Sequence, residues 1–285
     1  MQIAVNMLTQ TGGHGDPWTA SGTEVPLFAP HPGRPAAVVD GPEEVRRKVR
    51  ELLRAGADVI KIYTTGGVLS ERDDPSHPHF RDDEIAMAVT EAAAAGAHVM
   101  AHAIGTDGIK AAVRNGARSI EHGIFLDDEA IEMMLAAGTW LVPTMHAPRA
   151  VLRAAAEGLS LTQSSIDKAT FVAGTHEANV KRAHDAGVRI AMGTDCGVGV
   201  HGTNLEELSL LACAGHTATE ALHAATGSAA ELLGVDHEVG TLQPGKRADL
   251  VIIDGSPEDL ADLRSRVRAV YQSGVLVSRG APAEP

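Results

Sequence analysis

Three side chains in this sequence are of types and at positions that suit chemistry. His102 closes the apolar run 97–102, His122 closes the run 117–122, and Asp195 closes MGTD after the run 188–192. Imidazole nitrogen and carboxylate oxygen together suit zinc or a similar divalent ion. A bound ion brings the pKa of its water towards neutrality, and a neighbouring carboxylate can then take the proton and pass it on. Each residue alone reads as an ordinary strand-end side chain. Three of them at matching positions of successive units read as a site.

Lys61 joins them near the end of the apolar run 57–63, ADVIKIY. A buried lysine shifts towards its neutral amine. That amine can take up carbon dioxide as a carbamate, an anionic oxygen ligand, or the ammonium can pair with Asp195 or another acid. Spacing alone leaves both readings open. His14 and Asp16 in GGHGD follow a strand and either line the same mouth or belong to a glycine-fixed turn. Tyr63 and His146 lie near strand ends and are candidates for touching a small-molecule substrate. His98 is at the far end of its strand and reads as structural. The His77-Pro78-His79 sequence reads as loop surface. Cys196 follows Asp195 directly, but no partner histidine is placed by sequence, so a thiol nucleophile is not expected.

The elements that must position these groups recur as one unit: helix, glycine stop, short apolar strand, loop with polar residues. Strands are expected over residues 2–9, 57–63, 97–102, 117–122, 139–145 and 188–192. The intervening helices are expected over 42–55, 83–95, 106–115 and 127–137, over 147–186 with a break near 158–164, and over 204–214 and 218–233. Residues 20–41 and 70–82 read as loops. Alternating short strands and helices of this kind imply a parallel sheet covered by helices. No GxGxxG follows the first strand, and polar residues sit at many strand ends, which favours a TIM-like (β/α) barrel over a doubly wound sheet. The pattern changes after residue 237. Residues 238–285 read as part of a small β domain, with strands RAVYQ and VLVSR around Ser273-Gly274.

Composition narrows the partners. The formal net charge is −13 and the basic residues are scattered, which argues against nucleic acid or an anionic membrane surface. No apolar run approaches membrane-spanning length, and no secretory leader is evident at the N-terminus. The two cysteines, Cys196 and Cys213, suggest no disulfide framework and point to a reducing cytoplasm.

Taken together, VIKIYTTGG, HVMAHAIG, SIEHG, MGTD and GTLQPGKRADLVIIDG resemble the amidohydrolase superfamily, most nearly its imidazolonepropionase-like and Xaa-Pro or Xaa-Arg dipeptidase-like branch. The resemblance implies a TIM barrel with a small β-sandwich. It also implies metal-dependent cleavage of a C–N bond in an amide, dipeptide or N-acyl amino acid, with zinc as the expected metal in one or two copies. Carboxylated Lys61 would bridge the ions, His102 and His122 would hold the second, and Asp195 would bind the first and act as general acid/base. The family's H-x-H pair at the end of its first strand has no counterpart here. Residues 2–9 match the third barrel strand, so the first two strands and the opening half of the sandwich are expected to be missing, through truncation, a mis-called start or natural shortening. Six strands do not close an eight-strand barrel, so the open edges are expected to pair in a homo-oligomer. The rival expectations are a non-catalytic, self-associating scaffold and a half-enzyme completed by another chain.

Overall fold

The computed structural model describes residues 1–19, 21–26 and 29–279. Residues 20, 27 and 28 of the expected 20–41 loop, and the last six positions of the expected small domain, lie outside that set. The chain alternates strand and helix: β1 (Met7–Leu8), α1 (Pro42–Arg54), β2 (Ile60–Tyr63), α2 (Asp82–Ala94), β3 (Val99–Ala103), α3 (Thr106–Arg114), β4 (Ser119–His122), α4 (Asp128–Ala137) and β5 (Trp140–Val142). Helices α5 (His146–Ala156), α6 (Gln163–Ala186), α7 (Glu206–Cys213), α8 (Ala218–Ala224) and α9 (Gly227–Leu232) follow. The last part holds β6 (Leu250–Ile253), α10 (Leu263–Arg266), β7 (Val267–Gln272) and β8 (Val275–Arg279).

Strands β1 to β5 form one parallel sheet in sequence order, and Ile190 bridges to Leu141 as a sixth, minimal strand. Helices cover the sheet in the α/β, TIM-like manner. Antiparallel β6, β7 and β8 form a second sheet. The turn between β7 and β8 places both Ser273 and Gly274 at positive φ, 52° and 78°. That is the two-residue hairpin geometry matched to the right-handed twist of the flanking strands.

One face of the sheet is apolar and packs against the helices, while the opposite face carries Lys61, Tyr63, His102 and Glu121. Ile60, Ile62, Val99, Ala101, Ala103, Ile120 and Leu141 are buried in one cluster with α1 Val45, Val49 and Leu52 and α2 Ile85 and Ala88. Helix α4 begins at Asp127, whose carboxylate accepts the Ala130 N–H at 2.8 Å. Helix α8 begins with a reciprocal Thr217–Glu220 capping box.

Several elements are shorter than the sequence suggests. Only Met7 and Leu8 of residues 2–9 pair with β2, and of residues 188–192 only Ile190 pairs with β5. Both segments flank the sheet and their pairing is short: Thr9 also bridges to Val38, so residues 2–9 meet a neighbour on each side without forming a longer ladder. The helix expected over 218–233 is two helices, because Thr226 (φ −127°, ψ −83°) breaks the helical path. His79 is buried, not loop surface, because the segment at Pro78 pairs with Thr65 and carries the imidazole inward. Among the described residues, no helix is long and apolar enough to cross a membrane.

Helix α3 sits unusually close to the sheet. A Cβ on Gly108 would lie 2.3 Å from the Thr64 carbonyl oxygen and 2.3 Å from Thr65 Cγ2. Gly→Ala inside a helix normally stabilises by up to about 1 kcal/mol. Here the sign should invert: Gly108→Ala is expected to destabilise by about 1–3 kcal/mol through overpacking. Thermal or denaturant unfolding reads this directly, and an unchanged or raised midpoint would contradict the close approach.

Candidate active site

Parallel register delivers the site. Tyr63 is opposite His102, and His102 is opposite Glu121, so these three occupy one row across β2, β3 and β4. Lys61 lies two residues before Tyr63 and therefore shares its face. His122 is one residue past that row, opposite Ala103. Simple alternation would turn it to the other face. Instead its backbone is left-handed, at φ 75°. The imidazole turns back, and its ring centroid lies 4.6 Å from that of His102. Thr144 (φ 51°) and Asp195 (φ 53°) share this unusual conformation. Non-glycine residues held there cost about 1–3 kcal/mol each, and such strain gathers at functional sites.

Lys61, His102, His122 and Asp195 line a single cavity of about 120 Å³, together with His14 and Tyr63. His14 stacks on His102 with centroids 4.7 Å apart and meets the Tyr63 ring edge-on. The Tyr63 hydroxyl donates to Met7 Sδ at 3.3 Å. His146 is not on this wall. It opens α5, is buried, and shares a 3.0 Å hydrogen bond with Thr203 Oγ1 through Nε2. Asp16 does not line the cavity either. Its carboxylate accepts the Gly12 and Trp18 N–H groups and so fixes the turn.

Each cavity histidine has one nitrogen engaged and one without a protein partner. His102 Nε2 donates to the Gly66 carbonyl at 3.0 Å, and His122 Nδ1 bonds Thr144 Oγ1 at 2.6 Å. His102 Nδ1 and His122 Nε2 make no hydrogen bond among the described residues. Burial, followed by neighbouring positive charge, holds both imidazoles well below their ordinary range, so both are neutral. A neutral ring tied at one nitrogen and open at the other is the state in which imidazole binds a metal. Lys61 makes no ion pair or hydrogen bond among the described residues. Burial pushes the Asp195 and Glu121 carboxyls up, while the charge of Lys61 pulls both the other way.

The donor set fits a divalent ion with one condition. Among the described residues, no three His, Cys, Asp or Glu side chains already stand at ligating spacing. His102 and His122 supply two donors. Lys61 or Asp195 must supply the rest, and Lys61 does so as an oxygen ligand only when carboxylated.

The structure adds residues that sequence spacing does not reveal. Asp73 lies in the expected 70–82 loop, yet its side chain is 2% exposed. It accepts hydrogen bonds from the Gly67 N–H (2.8 Å), from the Ser70 hydroxyl and from Lys168 Nζ (3.1 Å), and it lies 3.4 Å from His14 Nδ1. Lys168 on α6 also donates to the Gly67, Ser70 and Asp73 carbonyls. Burial opposes the charge on Asp73, but the hydrogen bond and charge of His14, followed by the Ser70 and Gly67 hydrogen bonds, prevail and hold its carboxyl far below the usual range. The 95-residue separation of Asp73 and Lys168 hides the pair from any local pattern. Thr144 carries no sequence signal. Glu121 does carry one, as an acid within an otherwise apolar strand.

Glu207 on α7 is a second buried carboxylate. It accepts the Met145 and His146 N–H groups at 2.8 and 2.7 Å, which anchors the start of α5 beside the cavity. Burial outweighs those bonds and pushes its carboxyl up to about 7.

A family model described as "Amidohydrolase family" matches residues 7–278. Ochratoxinase of Aspergillus niger is 37% identical over 263 residues, covering 89% of this chain and 54% of that protein. Imidazolonepropionase of Geobacillus kaustophilus is 34% identical over 163 residues, covering 47% of this chain and 38% of that protein. The chain thus spans about half, or less, of the length of these relatives. A solved Xaa-Pro dipeptidase with methionine in its active site superposes with a TM-score of 0.87 at 36% identity, covering 96% of this chain and 67% of that one. The ochratoxinase structure gives a TM-score of 0.84 at 33% identity, covering 98% and 66%.

Two outcomes follow from the buried carboxylates. Asp73→Ala leaves the Lys168 ammonium without its counter-ion and should cost about 3–5 kcal/mol, as breaking one side of a buried pair does; a loss below about 1 kcal/mol in denaturant unfolding would mean the pair is not sealed from water. For Glu207 the folded value of about 7 lies above the ordinary 4.5, so the folded state binds the extra proton between them. Stability should therefore fall as pH rises through that window, and Glu207→Gln should remove this component of the slope. Melting temperature against pH for the two proteins measures the difference.

Proposed function

This chain belongs to the amidohydrolase family, and on that premise we propose that it is a metal-dependent hydrolase acting on a C–N bond of a small substrate, a dipeptide or an N-acyl amino acid. The observation that carries this reading is the convergence of Lys61, His102, His122 and Asp195 on one cavity at the C-terminal ends of parallel strands. In this family of folds that end of the sheet is where chemistry is placed. A divalent ion held there, with zinc the best match to imidazole and carboxylate donors, would polarise the carbonyl and supply activated water.

The protein's own groups would do the rest. His102 and His122 would hold the ion through the nitrogens that lack protein partners, with Gly66 and Thr144 fixing their ring orientation. Lys61 would enter as the carbamate, which its lack of an ion pair supports and which also completes the donor set. Asp195, on the rim and with its carboxyl pushed upward, would take a proton from the attacking water and deliver it to the leaving nitrogen. His14, braced by Ser70 and Asp73, and Tyr63 would flank the substrate.

Asp195→Asn keeps the shape and tolerates the left-handed backbone, so it isolates the proton transfer. Hydrolysis of a panel of dipeptides and N-acyl amino acids by this variant should fall about 10²–10⁴-fold. The purified protein should carry zinc, manganese or iron in stoichiometric amount. Activity unchanged in the variant, or metal-free protein with full activity, would sink the reading.

A further inference from the structure

One wall of the cavity has no part in the proton and metal chemistry. Ile104, Ile124 and Val172 line it as one buried cluster, with Val68 and Phe125 packed against them. Phe125 meets Phe171 at 5.1 Å between ring centroids, and Phe171 is 59% exposed. Apolar contacts therefore continue from the cavity wall through Phe125 to the exposed Phe171 ring on α6.

The polar groups near this wall are already occupied. Asn179 donates to the Ile124 carbonyl, Thr106 to the Phe125 carbonyl, and the Phe125 N–H to Ile104. Lys168 lies one helical turn before Val172, and its ammonium is taken by the 67–73 loop. Apart from the histidines, Lys61 is the only basic residue among those lining the cavity. The wall thus offers a ligand neither a free cation nor a free hydrogen-bonding group.

We infer that this surface is a substrate subsite for an uncharged alkyl or aryl group carried next to the amide, long enough to pass Val172 and reach Phe171. The inference rests on the hydrolase reading and adds the substrate class. A carboxylate or phosphate is excluded from the wall, since desolvating a charge without a partner is strongly unfavourable. Each methylene that enters contributes about 0.8 kcal/mol, a factor of about four in affinity.

Equilibrium binding by calorimetry separates this from turnover. The probes are N-acylglycine amides graded from acetyl to octanoyl, with a matched series whose acyl chain ends in a carboxylate. The dissociation constant should fall about fourfold per methylene and then level off, and the carboxylated chains should bind markedly more weakly. Phe171→Ser, on the surface and so tolerated by the fold, should flatten the steps for the longest chains. Affinity independent of chain length, equal binding of the carboxylated series, or an unaltered gradient in Phe171→Ser together with Val172→Ser would overturn the subsite. Turnover of the same amides tests the parent reading separately. Graded binding without hydrolysis keeps the subsite and retires the hydrolase, and hydrolysis with ungraded binding does the reverse.

Discussion

The left-handed backbone at His122 is the constraint on which the site depends. Parallel pairing places Tyr63, His102 and Glu121 in one row and would leave His122 turned outward towards the helices. At φ 75° the chain leaves extended geometry one residue after Glu121, and the second imidazole comes round to meet the first. The surroundings hold the residue in this unfavourable conformation. The His122 carbonyl accepts from His176 Nε2 at 3.0 Å, and the ring bonds Thr144 at 2.6 Å. Strain of this kind persists only where neighbours over-determine it.

Much of this arrangement is legible in the sequence, and the reasons are physical. Short apolar runs closed by polar residues identify the strands, and glycine stops identify the helix ends. The choice of a parallel sheet follows from their alternation, and the site side chains follow from the strand ends. His102, His122, Lys61 and Asp195 do share one cavity. What spacing does not show is how His122 arrives there, because period-two alternation predicts the opposite face and no residue type announces a positive φ.

At the edges of the sheet and in the loops, composition and structure part ways. Residues 2–9 and 188–192 have the composition of strands, yet pairing depends on the neighbours, and each segment meets them over only one or two residues at a time. His146 follows a strand and still faces away from the cavity, because Glu207 claims its backbone N–H and starts a helix at that point. The 70–82 segment reads as polar loop, but one of its acids is as buried as core leucines. Composition cannot distinguish a solvated aspartate from one whose partner lies 95 residues further on.

That partner, Lys168, makes four hydrogen bonds to a single stretch of backbone and one carboxylate. A segment fastened in this way is a poor candidate for a swinging gate. It behaves as fixed masonry beside the cavity, already shaped before anything arrives. A ligand settling against it forfeits little loop entropy, so affinity at this wall reports contact with the ligand itself and not the ordering of the protein around it.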